Sequence, residues 1–246
     1  MSRLSSVLAG AAGMLLSFVA TAHGDITFSG RNWTTQDAAH RDNPAIHTEY
    51  TAVDANTGKM RGVFGTSGQD CSMVTPLSIK VGDVVSYDYS FTHDPVDLIG
   101  DGAADWIGDT ATAFIAGTEN TNNKYVTHRL IYSGNNVDKL RHDGANQEVT
   151  GTHPMTGLHM QFTFDSPTSY VVDITDIASG TPVAKWAATL NQINSVQATV
   201  DDIKAFRVGL WDSEQTVTLA NFSVVPEPAS LGLLACASLL ALRRRR

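Results

Sequence analysis

The stretch Val84-Val85-Ser86-Tyr87-Asp88-Tyr89-Ser90-Phe91 alternates apolar and polar residues with a period of two. Successive side chains of an extended chain point to opposite faces, so Val85, Tyr87, Tyr89 and Phe91 share one side. That is the signature of a half-buried strand and does not fit a helix. Leu158, Met160, Phe162 and Phe164 repeat the pattern, as do Phe206, Val208 and Leu210. No long apolar stripe at helical spacing competes with it. Short β-branched and aromatic runs predict strands at 26–28, 60–64, 77–81, 84–91, 112–116 and 125–132. More follow at 158–164, 170–174, 182–187, 205–210 and 217–224, with one helical turn expected around 201–204. Asn56-Thr57-Gly58, Val81-Gly82-Asp83, Ser133-Gly134-Asn135-Asn136 and Ala178-Ser179-Gly180 mark turns between them. About eleven short strands in one domain predict an all-β fold, a two-sheet antiparallel sandwich, most simply a jelly roll.

Two further stretches sharpen this expectation. Tyr170-Val171-Val172-Asp173-Ile174-Thr175-Asp176, followed by Gly180-Thr181-Pro182-Val183, reads as an adjacent strand pair. Ala205-Phe206-Arg207-Val208-Gly209-Leu210-Trp211, followed by Asn221-Phe222-Ser223-Val224, reads as closing strands. Both resemble concanavalin A-like (laminin-G or lectin-type) sandwiches, and the resemblance implies that fold together with contact to glycans.

The two ends of the chain are of a different kind. Met1-Ser2-Arg3 is a short positive segment, residues 7–19 are mostly apolar, and Ala20-Thr21-Ala22 is an A-x-A site. Together these form a secretory signal peptide over 1–22. At the other end Val225-Pro226-Glu227-Pro228 breaks regular structure, because proline fixes φ and lacks an N–H. An apolar run, 229–242, and Arg243-Arg244-Arg245-Arg246 follow. Positive charge is retained on the cytoplasmic side of a bilayer, so the tail reads as a membrane-engaging helix with a basic stop. As a helix the run reaches roughly 21 Å, against a hydrocarbon core of about 30 Å. Pro226, Glu227 and Pro228, the apolar run, and Arg243, Arg244, Arg245 and Arg246 resemble the PEP-CTERM sorting signal. The resemblance implies recognition by an exosortase-type membrane peptidase and removal of the tail near the tripeptide. It also implies an inner-membrane-tethered intermediate, then delivery to the cell surface or to a polysaccharide-rich extracellular matrix. An ordinary C-terminal transmembrane anchor is the alternative. The expected organisation is signal peptide 1–22, sandwich domain 23–225 and sorting signal 226–246.

Charge follows from that division. Without Arg3 and the four tail arginines, the 17 basic residues fall to 12; without Glu227, the 25 acids fall to 24. The body is therefore near −12, which disfavours nucleic acid and anionic lipid as partners. Cys236 lies in the tail and leaves Cys71 alone in the domain, so no disulfide can form within it. A buried small hydrophobe or a bridge between chains are the two readings of Cys71.

Chemistry-bearing residues concentrate in the acidic segment 93–109, where five aspartates alternate with three glycines. Calcium takes six to eight oxygen ligands, and a Gly-rich acidic loop can fold around it. Asp97, Asp101 and Asp105 are the candidate Ca²⁺ ligands, although the EF-hand spacing is absent and a solvated loop is the alternative. Trp106 beside them is a candidate for stacking on a sugar ring, or for the core. Glycoside hydrolysis needs two flanking carboxyls. Hydrolases of the concanavalin-like fold usually carry an E-x-D-x-E strand, and Glu49, Glu119, Glu148 and Glu214 have no such neighbours. Cleavage after Ala22 would place His23 at the new N-terminus, where an amine and imidazole can brace copper, but no surrounding motif supports it. His40 with His47, and His153 with His159, are not spaced as a compact metal pair. There is no G-x-S-x-G elbow, and the glycines of 62–68 lack the lysine of a phosphate loop. The reading is an exported, non-enzymatic structural or adhesion module that contacts extracellular polysaccharide. The alternatives are a secreted polysaccharide-active enzyme, hydrolytic or copper-oxidative, and a matrix scaffold without a ligand.

Overall fold

The computed structural model describes residues 33–35, 47–63, 70–93, 109–117, 125–133, 139–143, 147–150, 157–211 and 215–226. The strands are β1 (Thr34–Thr35), β2 (His47–Ala52), β3 (Thr57–Val63), β4 (Asp70–Pro76), β5 (Asp83–His93) and β6 (Asp109–Ile115). They continue as β7 (Leu130–Ser133), β8 (Lys139–His142), β9 (Gln147–Thr150), β10 (Leu158–Ser166) and β11 (Ser169–Asp176). The chain closes with β12 (Pro182–Thr189), β13 (Gln192–Ile193), β14 (Val196–Gln197), β15 (Ala205–Trp211) and β16 (Gln215–Pro226). A single turn of 3-10 helix, Val200–Asp202, lies where the sequence predicts a helical turn.

Two seven-stranded sheets are formed, and every strand pair in them is antiparallel. The first runs β1-β4-β15-β6-β7-β8-β9 and the second β12-β11-β10-β5-β16-β3-β2. The all-β, two-sheet antiparallel sandwich read from the sequence is the fold of the protein. Its core is built by the alternating strands: Val85, Tyr87 and Tyr89 of β5 and Leu158, Met160, Phe162 and Phe164 of β10 are buried. Phe206, Val208 and Leu210 of β15 meet them from the first sheet. Phe206 packs edge-on to Tyr87 at 5.0 Å, Phe114 to Phe162 at 5.0 Å, and Tyr89 stacks on Tyr132 at 4.3 Å. Buried hydroxyls are satisfied across the core, Tyr87 by Thr112 at 2.7 Å and Tyr89 by Thr110. A tyrosine can contribute its ring to the core because its polar tip has a partner there.

Two expectations need correction. Residues 77–81 are not a strand; the strand is β4, and it ends at Pro76, which has no N–H to continue a ladder. Leu77 and Ile79 still point inward and are buried, which produced a strand-like pattern without pairing. Of 125–132, only the stretch from Leu130 pairs as a strand. Ahead of it Tyr125 makes an isolated bridge to Ile115, and the Thr127 hydroxyl accepts the Phe114 N–H at 3.1 Å in place of a ladder bond. The strands β2, β8 and β9 went unread because they are polar: β8 and β9 read Lys-Leu-Arg-His and Gln-Glu-Val-Thr. The strand expected at 26–28 lies outside the described residues. The Val81-Gly82-Asp83 turn is present, and Gly82 adopts φ 91°, which L side chains rarely reach.

Candidate ligand-binding face

Most residues singled out in the sequence fall outside the described part of the chain. These are Asp97, Asp101, Asp105, Trp106, His23, Glu227, Pro228 and Arg243 to Arg246. The signal peptide and the apolar tail lie outside it as well. Pro226 is described as the last residue of β16, where its backbone pairs with Asp83. Cys71 is in β4, opposite Leu210 of β15. Glu49 is on the surface of β2, 3.6 Å from Arg61. Among the described residues no group of three or more His, Cys, Asp and Glu is placed to hold a metal, and no helix is long and apolar enough to cross a membrane.

The structure instead assembles a polar group in the middle of the second sheet's outer face. In β5 the side chains of Tyr87 and Tyr89 point inward, so Asp88 between them points out. Register places His159 of β10 directly opposite Asp88, and its Nδ1 lies 2.7 Å from Oδ1. On the other flank β16 pairs with β5 through Ala220, then slips and resumes at Ser223 opposite Ser86. The slip is a β-bulge, and the extra residue, Asn221, sits at φ 50°. Asparagine tolerates that left-handed conformation better than most residues. The Asn221 N–H is taken up by the carbonyl of Asn56 at 2.9 Å, and its Nδ2 donates to Asp88 Oδ2 at 2.7 Å. Both carboxylate oxygens of Asp88 are thus held, one by an imidazole and one by an amide.

That arrangement fixes more than position. A carboxylate only accepts, so His159 Nδ1 carries the proton shared with Asp88. Asn221, which is exposed, keeps its amide oxygen as an acceptor. The neighbouring outward positions are Ser86, Ser90, Gln161, Thr163, Thr218 and Ser223, all partly exposed, with Ser86 and Ser223 joined at 2.9 Å. The nearest outward side chains around the buttressed carboxylate are neutral donors and acceptors, with Lys59 and Arg61 of β3 farther out on the same face. The next carboxylate outward, Asp173 of β11, is engaged by Lys185 at 2.9 Å. It lies two strands across and two residues along, a backbone separation of about 12 Å.

Two other polar groups are built differently. On the outer face of the first sheet, Tyr125 lies between Arg129 and Arg207, each guanidinium 5.4 Å from its ring centre. Arg207 Nη1 donates to the Tyr125 hydroxyl, and Arg129 is paired with Asp143 at 2.5 Å. Arg207 is only 2% exposed, so this stack serves as a buried brace. At the side of the sandwich His142 is fully buried, stacked on Trp186 at 5.5 Å, with Nε2 2.7 Å from the Tyr170 hydroxyl. Burial, helped by His128 alongside, pushes the His142 imidazole down to about 4, against smaller upward pulls from Gln147 and Asp143. His128 is itself lowered by burial. This pair is core. A recess of about 540 Å³ also opens at one end of the sandwich, lined by Pro76, Leu77, Ser78, Gly117 and Lys204.

Sequence reasoning missed Asp88, His159 and Asn221 because they are separated by 71 and 133 positions along the chain. The one local signal was a lone carboxylate on the polar side of an otherwise Ser-bearing strand. An asparagine interrupting the alternation of Val217 to Val224 was the other.

No protein-family model matches the chain, and no curated protein sequence matches it. Solved structures align with much of the chain. A legume lectin-like domain from Entamoeba histolytica aligns at 6% identity over 78% of this chain and 89% of its own, with a TM-score of 0.44. The exoplasmic/lumenal domain of VIP36, in a Ca²⁺/mannose-bound form, aligns at 8% identity over 76% and 82%, with a TM-score of 0.43. A glycosyl hydrolase family protein from Mycobacterium fortuitum aligns at 9% identity over 78% and 90%, with a TM-score of 0.42.

Proposed function

We propose that the protein is an exported, non-enzymatic surface or matrix module that contacts polysaccharide through the outer face of its second sheet. The observation that carries this reading is Asp88 held between His159 and Asn221 on a partly exposed face of neutral hydrogen-bonding groups. Sugar hydroxyls both donate and accept, and they are bound well by polar groups whose geometry is fixed beforehand. The alternating strands supply rigid mounts, and the bulge aims the amide. Export and delivery rest on the signal peptide and on the tail of Pro226, Glu227, Pro228 and the four arginines, with an exosortase-type peptidase as the processing partner. Calcium, if bound, is assigned to Asp97, Asp101 and Asp105.

The test is retention of the exported protein on immobilised neutral and acidic polysaccharides, in Ca²⁺ and then in EDTA. Retention of the native protein that is lost in Asp88→Ala and in Asn221→Gly, without release of reducing sugar, supports the reading. Equal retention of native and substituted proteins moves the contact to another surface. Release of reducing sugar would mean an enzyme, and EDTA-sensitive retention puts the Asp97–Asp105 segment first for mutation.

A further inference from the structure

The end of β16 also fixes where a membrane would stand. Pro226 is paired with Asp83, so the sheet continues up to the last residues before the apolar run 229–242. Only Glu227 and Pro228 intervene, and three residue steps span at most about 10 Å. The apolar run is moreover shorter than the hydrocarbon core, by roughly a third. A short span is accommodated partly by drawing its flanks into the interface, which brings the domain closer still.

The surface at this end of the sandwich is defined by the strand directions. Lys80, Val81 and Gly82 form the turn into β5, closed by Asp83 N–H to Lys80 O at 3.1 Å and by Gly82 N–H to Phe164 O at 2.7 Å. Val81 is 47% exposed and Val225, beside the end of β16, is 41% exposed. They are two of the five large hydrophobic residues exposed among those described, and both stand where the chain leaves for the tail. The apolar recess at Pro76 and Leu77 opens at the same end. Charge there is mixed: Lys80 and Lys204 are offset by Asp165, Asp201 and Asp202, all exposed.

We propose that, while the tail is inserted, the domain stands end-on against the bilayer with the Lys80–Gly82 turn and Val225 in the headgroup layer. This rests on the membrane reading of the tail. The partner is a lipid surface held there by the tether, and two lysines against three aspartates give anionic lipid no advantage in the contact. The binding face around Asp88 then lies along the side of the upright domain, clear of the membrane.

The experiment uses the uncut chain without its signal peptide, in vesicles of phosphatidylethanolamine with phosphatidylglycerol and in vesicles of phosphatidylcholine. In a Cys71→Ala, Cys236→Ala background, Val81→Cys and, at the opposite end, Ile177→Cys each carry an environment-sensitive dye. Headgroup-quencher lipids are expected to remove most of the emission at position 81 and none at 177, and no more on the anionic vesicles than on phosphatidylcholine. A Gly-Ser spacer after Pro226 is expected to restore the emission at 81. Vesicle-bound protein with position 81 as unquenched as 177 overturns the orientation and leaves the tail reading intact. Protein that does not float with vesicles overturns the tail reading, and the orientation with it. Should the cysteine-free background fail to fold, hydrogen exchange of the native-sequence chain decides. Amides 80–83 exchange more slowly on vesicles than in the spacer variant, or the orientation is wrong.

Discussion

Tyr87 and Thr112 are joined by a 2.7 Å hydrogen bond inside the core, between side chains of opposite sheets. Removing one partner leaves the other buried and unsatisfied, which costs about 1–3 kcal/mol. Tyr87→Phe should therefore lower the urea unfolding free energy by that amount. Adding Thr112→Val should recover part of it, because the orphaned hydroxyl is gone. Strictly additive losses would show that the bond itself contributes little. His142 gives a pH dependence of defined sign. Its imidazole titrates near the ordinary 6.5 when unfolded and at about 4 when folded, so the unfolded chain takes the proton first. Stability is full above pH 6.5, falls as the pH drops toward 4, and loses nothing further from this group below that. The whole loss is about 3 kcal/mol. His128, lowered in the same direction, adds to the slope. Urea midpoints measured across this window should fall more shallowly in His142→Phe than in the native protein.

At the scale of the element, the bulge in β16 is the feature that turns a strand into a site. Asn221 at φ 50° admits glycine with little strain, whereas a β-branched residue there costs about 1–2 kcal/mol. Asn221→Gly should unfold within about 1 kcal/mol of the native protein yet lose retention on polysaccharide. Asn221→Val should lose both. Equal stability of the two variants would mean that the bulge relaxes without penalty. A second constraint lies where the chain enters β10. Gly157 has φ 99°, and a Cβ there would meet Ile177 Cδ1 at 3.1 Å, so Gly157→Ala combines backbone strain with a clash. A loss of about 1 kcal/mol or more is expected in thermal unfolding. Gly180, at φ 68° with nothing within 4 Å of its Cβ position, carries the strain alone and should tolerate alanine better.

For the whole molecule, the second sheet is closed by its most distant parts. Ser86 and Ser223, bonded across β5 and β16, are 137 residues apart, so the central pair of the sheet forms only after a large loop has closed. Antiparallel sandwiches dominated by such contacts refold in roughly milliseconds to seconds. Stopped-flow fluorescence should show this range, and microsecond refolding would contradict closure through β5 and β16. The same topology places the end of β16 beside the start of β5.

The sequence alone determined the class of fold, because a period of two in β5, β10 and β15 leaves one apolar face per strand and two such sheets must cover each other. The reading of the two ends rests on hydropathy and charge, which act locally and need no tertiary partner, and it falls outside the described residues. Polar strands such as β8 and β9 were not legible, because a residue such as His142 becomes interior only when β7, β11 and β12 surround it. The run at 77–81 misled for the converse reason: burial alternates there without a partner strand. The candidate site was decided by tertiary structure alone. Asp88, His159 and Asn221 are unremarkable in sequence, and only register across three strands, with one bulge, brings an imidazole and an amide onto the same carboxylate.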